Sequence, residues 1–155
     1  MSSDTLDLSA SHLPQVALAF MNSVHSEELA LVSELLTQLD DDTNNADISM
    51  QLNAWVAHTQ AHFERENFLM QEYHFFAYPM HAAEHVQALQ QLNSVQAFWD
   101  EAADREVLRG YIQSWRQWLQ QHISTMDFVT AQFLSQFPLP NEAIRIDELR
   151  GHDTH

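Results

Sequence analysis

Between residues 62 and 85 the chain reads HFERENFLMQEYHFFAYPMHAAEH, a stretch that carries two pairs of metal-binding side chains. His62 and Glu66 stand four residues apart, and so do His81 and His85. On an α-helix that spacing puts two side chains on one face, one turn above the other. Tyr78-Pro79 lies between the pairs. Proline has no N–H and disfavours helix in the residue before it, so one helix should end ahead of this point and another begin after it. The reading is a helical hairpin with an imidazole and a carboxylate on one arm and two imidazoles on the other. Such donors suit iron, manganese, copper or zinc better than calcium or magnesium.

Two further stretches extend the set. His122-Ile-Ser-Thr-Met-Asp127 adds an imidazole and a carboxylate, and His25 lies within an apolar helical pattern. The candidates are then His25, His62, Glu66, His81, His85, His122 and Asp127, too many for one metal and about right for two. Taken singly, each has a plain explanation as a core or rim histidine or a solvated acid. Jointly, seven such groups on the buried stripes of four helices make a costly core without a metal. His122 and Asp127 pose a geometric problem, because five residues of regular α-helix turn two side chains about 140° apart. A π-bulge between them would bring both to one cluster.

The order of these residues resembles that of the hemerythrins and bacteriohemerythrins, whose ligands run H…HFxxE…HxxxH…HxxxxD. His62-Phe63 with Glu66, His81 with His85, and Trp118-Leu-Gln-Gln-His122-Ile with Asp127 match the last three blocks, and the likeness spans roughly residues 25 to 133. The resemblance implies two iron ions per chain with an oxo or hydroxo bridge. His81, His85 and His122 would hold one iron, His25 and His62 the other, with Glu66 and Asp127 bridging. It also implies one open position, where dioxygen is taken up reversibly as peroxide, and no enzymatic turnover. Two ferrous ions, two carboxylates and one hydroxide would leave a net charge of about +1, tolerable in a buried site. By their spacing from the ligands, Phe63, Trp118, Leu29 and Thr125 are placed to line a mostly apolar oxygen pocket. Glu28 is a departure, an acid where an apolar contact would be safer. The expectation is that it faces solvent; turned inward, it would make the pocket wetter.

The rest of the chain supplies the support. Its 155 residues suit one domain, and a 45% apolar content is globular rather than disordered. Two glycines and four prolines are too few for the turns of an all-β protein. Apolar periodicity predicts helices over about 13–39, 48–73, 79–99 and 103–136, with Ser11 and Asp47 as caps for the first two. Four such helices with short connections predict an all-α, antiparallel four-helix bundle over 13–137, after an N-terminal arm (1–12) and before a C-terminal tail or linker (138–155).

Absence of cysteine removes disulfides, thiolate zinc sites and cysteine nucleophiles together. The net charge of −16 argues against binding nucleic acid or an anionic membrane surface. No secretion signal and no bilayer-length apolar run is visible, which predicts a cytoplasmic protein. The other histidines read as surface, helix-end or tail residues, His58 and His74 among them. Two functional readings remain. One is a dioxygen-binding protein, acting as an oxygen or redox sensor or as a carrier or store. The other is a diiron oxidase or iron-handling protein, which the absence of paired Glu-x-x-His motifs disfavours. The alternating apolar and charged tail after Pro140 suggests an output domain or partner protein, and tips the first reading toward a sensor.

Overall fold

A computed structural model describes residues 13–139, and within them the chain is all-α. Helices α1 (Ala19–Asp40), α2 (Asn45–Glu72), α3 (Tyr78–Ala102) and α4 (Arg105–His122) form the bundle. α4 runs through a π-helical segment, Ile123–Asp127, into α5 (Phe128–Leu134), so that the last three elements make one long arm. α2 packs between α1 and α3, and α4 closes the ring against α1 and α3. Short connections force consecutive helices to alternate in direction, which gives the expected antiparallel four-helix bundle. The expected arm lies outside the described residues, as does all of the expected tail beyond residue 139.

Helix boundaries shift for identifiable reasons. α1 starts at Ala19 rather than near residue 13. The segment before it is held extended because the Asn22 side chain both accepts from the Val16 N–H and donates to the Val16 carbonyl, each at 3.0 Å. That clasp seats Leu13 and Val16 in the core without helix. α2 begins earlier than expected, capped not by Asp47 but by Asn44, whose Oδ1 accepts from the Asp47 N–H at 2.8 Å. Asp47 instead occupies the first turn, where a negative charge meets the positive end of the helix dipole. The expected Ser11 cap lies outside the described residues. Just beyond α2, His74 takes up the left-handed region with φ 58°, and Pro79 lies in the first turn of α3. Asp104 caps α4 by accepting from the Glu106 and Val107 N–H groups.

The core is unevenly distributed. A large apolar cluster gathers Leu35, Ile48, Leu52, Trp55, Leu108 and Ile112, while a smaller one forms around Leu69 and Leu134. Along α2, His62 and Glu66 fall between the two, so a polar layer interrupts the hydrophobic interior. At the end of the large cluster, Arg105 ties the α1–α2 loop down by donating to the Thr43 carbonyl and to Asn45 Oδ1. No helix among the described residues is long and apolar enough to cross a membrane.

Replacing Asp104 with alanine leaves two N–H groups at the start of α4 without their acceptor. It should cost about 1 kcal/mol in denaturant unfolding while leaving the metal content unchanged.

Candidate metal centre

Each helix of the bundle delivers polar side chains to one layer. His25 comes from α1, His62 and Glu66 from α2, His81 and His85 from α3, and His122 from the end of α4. Asp127 closes the π-helical segment, where the widened backbone turns its carboxylate back toward His122, with Oδ1 at 3.3 Å from His122 Nε2. The five-residue spacing is thus accommodated by a wide turn. All seven groups are buried, none more than 4% exposed.

The two carboxylates divide their oxygens. Oε1 of Glu66 faces His81 and His85 Nε2 at 3.4 and 3.2 Å, while Oε2 faces His62 Nε2 at 2.7 Å. Oδ1 of Asp127 faces His81 and His122 Nε2 at 3.2 and 3.3 Å, while Oδ2 faces His25 Nε2 at 3.0 Å. Three imidazoles therefore gather on one side of the carboxylate pair and two on the other. Within the three-imidazole group, Nε2 of His81, His85 and His122, Glu66 Oε1 and Asp127 Oδ1 are buried with no hydrogen-bond partner among the described residues. They converge on one another. Five buried nitrogen and oxygen atoms that face one another without a hydrogen bond are a poor core and a good cation site.

The outer nitrogens are held in turn. His81 Nδ1 lies 2.7 Å from Thr130 Oγ1, His85 Nδ1 2.9 Å from Asn67 Oδ1, and His122 Nδ1 2.7 Å from Glu84 Oε1. An acceptor at Nδ1 places the ring proton there and leaves Nε2 bare for a metal. The Thr130 hydroxyl in turn donates to Met70 Sδ, at 4.0 Å. Phe63 stacks on His85 and Trp118 on His122, which fixes both ring planes. These outer partners were not legible in the sequence. Their signal was present only as polar residues on otherwise buried stripes, and Thr130 and Asn67 carry no motif of their own.

The structure corrects two expectations about the pocket. Glu28 does not face solvent; it is 3% exposed. Its Oε2 accepts from Trp55 Nε1–H at 2.9 Å and from the Thr59 hydroxyl at 3.4 Å, and its Oε1 lies 3.6 Å from His62 Nδ1. The donors come from α2, so nothing in the local spacing of α1 announced them. Thr125 is exposed and donates to the Gln121 carbonyl at 2.7 Å, because the widened turn rotates it outward. Leu29 is buried in the large apolar cluster. A narrow cavity beside the site is bounded by the expected Phe63 and Trp118, together with Glu28, Thr59, His62, Tyr111, Trp115, Leu119, His122, Ala88 and Leu92. It is barely roomy enough for one water-sized molecule. His58 stays at the rim, 3.3 Å from Glu27 Oε1.

A match to a family model described as the hemerythrin HHE cation binding domain covers residues 16–134. The chain belongs to the hemerythrin family. It is 36% identical over 122 residues to a bacteriohemerythrin of Aquifex aeolicus, covering 77% of this chain and 92% of that protein. A second bacteriohemerythrin, from Ralstonia nicotianae, is 31% identical over 97 residues, 61% of this chain and 69% of that one. No solved structure matches significantly. Membership agrees with the geometry, since the matched segment includes all seven converging residues of this hemerythrin-family chain.

In the metal-free protein the layer is an ionic network. Burial pushes the Glu66 carboxyl up, but His62, His81 and His85 outweigh it and hold the group well below the usual carboxylate range. Burial and the Glu66 charge likewise push Asp127 up, and His122 and His25 more than reverse this. Burial lowers His62 and His81, yet their carboxylate neighbours raise them to about 10 and about 9. Burial carries His85 the other way, to about 4.

At neutral pH, His62 and His81 therefore hold protons that a metal must displace. Metal uptake at pH 7 should release protons, measurable by pH-stat, and apparent affinity should climb with pH toward 9–10 and fall as the solution is acidified. Thr130→Val, which deletes the acceptor at His81, should weaken metal binding by about ten- to a hundredfold in competition with a chelator.

Proposed function

We propose that this chain binds dioxygen reversibly at a non-haem diiron centre held by His25, His62, Glu66, His81, His85, His122 and Asp127. The observation that carries the reading is the division of Glu66 and Asp127, each with one oxygen toward the three-imidazole group and one toward the two-imidazole group. A carboxylate that bridges two metals is arranged in this way, and a single-metal site has no use for it. His81, His85 and His122 with two carboxylate oxygens supply five donors to one iron. His25 and His62 with the other two oxygens supply four to the second. When bound there, two irons would supply the electrons and an open position for dioxygen. The similar proteins named bacteriohemerythrin support the same choice of metal and ligand.

The chain's own residues do the rest. Phe63, Trp118, Trp115, Leu119 and Leu92 wall the cavity with apolar and aromatic surface, keeping out the water that would otherwise displace the ligand. Thr130, Asn67 and Glu84 keep three ligand rings in the right tautomer and orientation. The histidine-rich donor set favours binding over oxygen activation, which in ferritin-like diiron enzymes uses a carboxylate-rich shell.

A sensor role rather than a carrier or store is favoured by one observation. The buried Glu28 carboxylate forms part of the cavity wall. A charge there opposes electron density moving onto dioxygen, so the oxygenated form would be short-lived. Loss of an oxygenated form suits a switch and harms a carrier. Asp127 is continuous with α5, which gives a change in the centre's charge a physical route toward the C-terminal end.

The purified protein should contain two irons per chain and change colour reversibly between anaerobic and aerated solution. His122→Ala should lose at least one iron, and His58→Ala should keep both. Full iron loading of the His122→Ala protein contradicts the assignment. Glu28→Leu should slow autoxidation at least severalfold, followed by absorbance; an unchanged rate together with a long-lived oxygenated form makes the protein a carrier or store.

A further inference from the structure

The cavity beside the candidate centre contains one unusual wall. Most of its surface is aromatic or aliphatic, and no lysine or arginine lines it. Glu28 is the single carboxylate among the lining residues. Its surroundings are built for the charged form. Trp55 Nε1–H and the Thr59 hydroxyl both donate to Oε2, and the outer nitrogen of His62 stands 3.6 Å from Oε1. Trp55 is itself fully buried and packs edge-on against Trp115, so its N–H cannot swing away. Glu84, at the outer nitrogen of His122, does not line the cavity, and Glu66 and Asp127 belong to the metal-binding set.

We propose that Glu28 makes this cavity selective for neutral diatomic ligands over small anions. The proposal rests on the dioxygen-binding reading above and adds a discrimination that a fully apolar pocket lacks. An anion entering the cavity approaches a fixed negative charge across low-dielectric aromatic surface, with almost no water to screen it. A neutral molecule such as dioxygen or nitric oxide meets only the shape of the walls. Small anions are the natural competitors for an open position on a cationic iron, and the carboxylate sets its field against them before they reach it.

The test titrates the oxidised, iron-loaded protein with azide and the reduced protein with nitric oxide, both by absorbance. Wild type is compared with Glu28→Gln, which keeps the shape, and Glu28→Leu. Azide affinity should rise at least about tenfold in each, with nitric oxide affinity within about threefold of wild type. In zinc-loaded protein, iodide quenching of tryptophan fluorescence should increase in Glu28→Gln while quenching by dioxygen stays constant. Azide affinity unchanged in both variants overturns the proposal. Equal gains for azide and nitric oxide overturn it too, because they show a steric plug rather than a charge filter. Failure of the dioxygen reading is seen separately, as wild-type protein without iron or without a reversible aerobic spectrum, before any variant is titrated.

Discussion

Everything in this bundle is arranged around two carboxylates that each serve two sides. Glu66 and Asp127 come from different elements, yet each presents one oxygen to His81 and its neighbours and the other to His25 or His62. Without a cation, the three-imidazole side is a set of buried donor atoms with no partner, an arrangement that costs free energy at every atom. With one, the same atoms become coordination bonds. The four-helix architecture answers that requirement, because only a bundle interior receives side chains from four directions at one level. The two apolar clusters on either side supply the stability that a polar layer cannot.

The π-helical segment is the local cost of this arrangement. A regular helix from His122 onward would carry Asp127 to another face, so the backbone widens over Ile123–Asp127 and the long arm continues as α5. The widened turn also sets the register of α5. Thr130, three residues beyond Asp127, arrives fully buried with its hydroxyl 2.7 Å from His81. One backbone irregularity therefore delivers a carboxylate to the centre and an acceptor to the back of a ring on α3.

Features that repeat along a single helix were legible in the sequence. His81 and His85 sit one turn apart, as do His62 and Glu66, and the five-residue gap after His122 contradicts a regular helix unless it widens. Those local facts located the layer and the π-helical turn from spacing alone. Features that depend on residues brought together from different helices were not legible. Glu28 looked like a solvated acid because its donors, Trp55 and Thr59, lie about thirty positions away on α2. Thr125 was placed in the pocket by counting along an ideal helix, and the widened turn it belongs to rotates it out to solvent. The same π-helical turn was thus read correctly for Asp127 and not carried through to its neighbour. Asn67 and Glu84 stand next to Glu66 and His85 in sequence, but their roles depend on which way the rings of α3 and α4 turn.

Glu28 also alters the electrostatics of the interior. Two ferrous ions, two bridging carboxylates and a hydroxide would leave a charge of about +1, and a buried Glu28 brings the sum to about zero. A neutral interior is the easiest to bury, so the carboxylate that looks like a liability in an oxygen pocket is stabilised by the centre it faces. The same balance holds only for the reduced metals. Oxidation of the proposed irons would add positive charge to the layer, and a negative wall beside it would then favour the oxidised state over the reduced one. A fully apolar pocket would hold dioxygen longer and leave the oxidised centre with more uncompensated charge. Held by Trp55 and Thr59 in a wall with almost no room for water to screen it, Glu28 would bias the proposed diiron centre toward changing its oxidation state and away from conserving it.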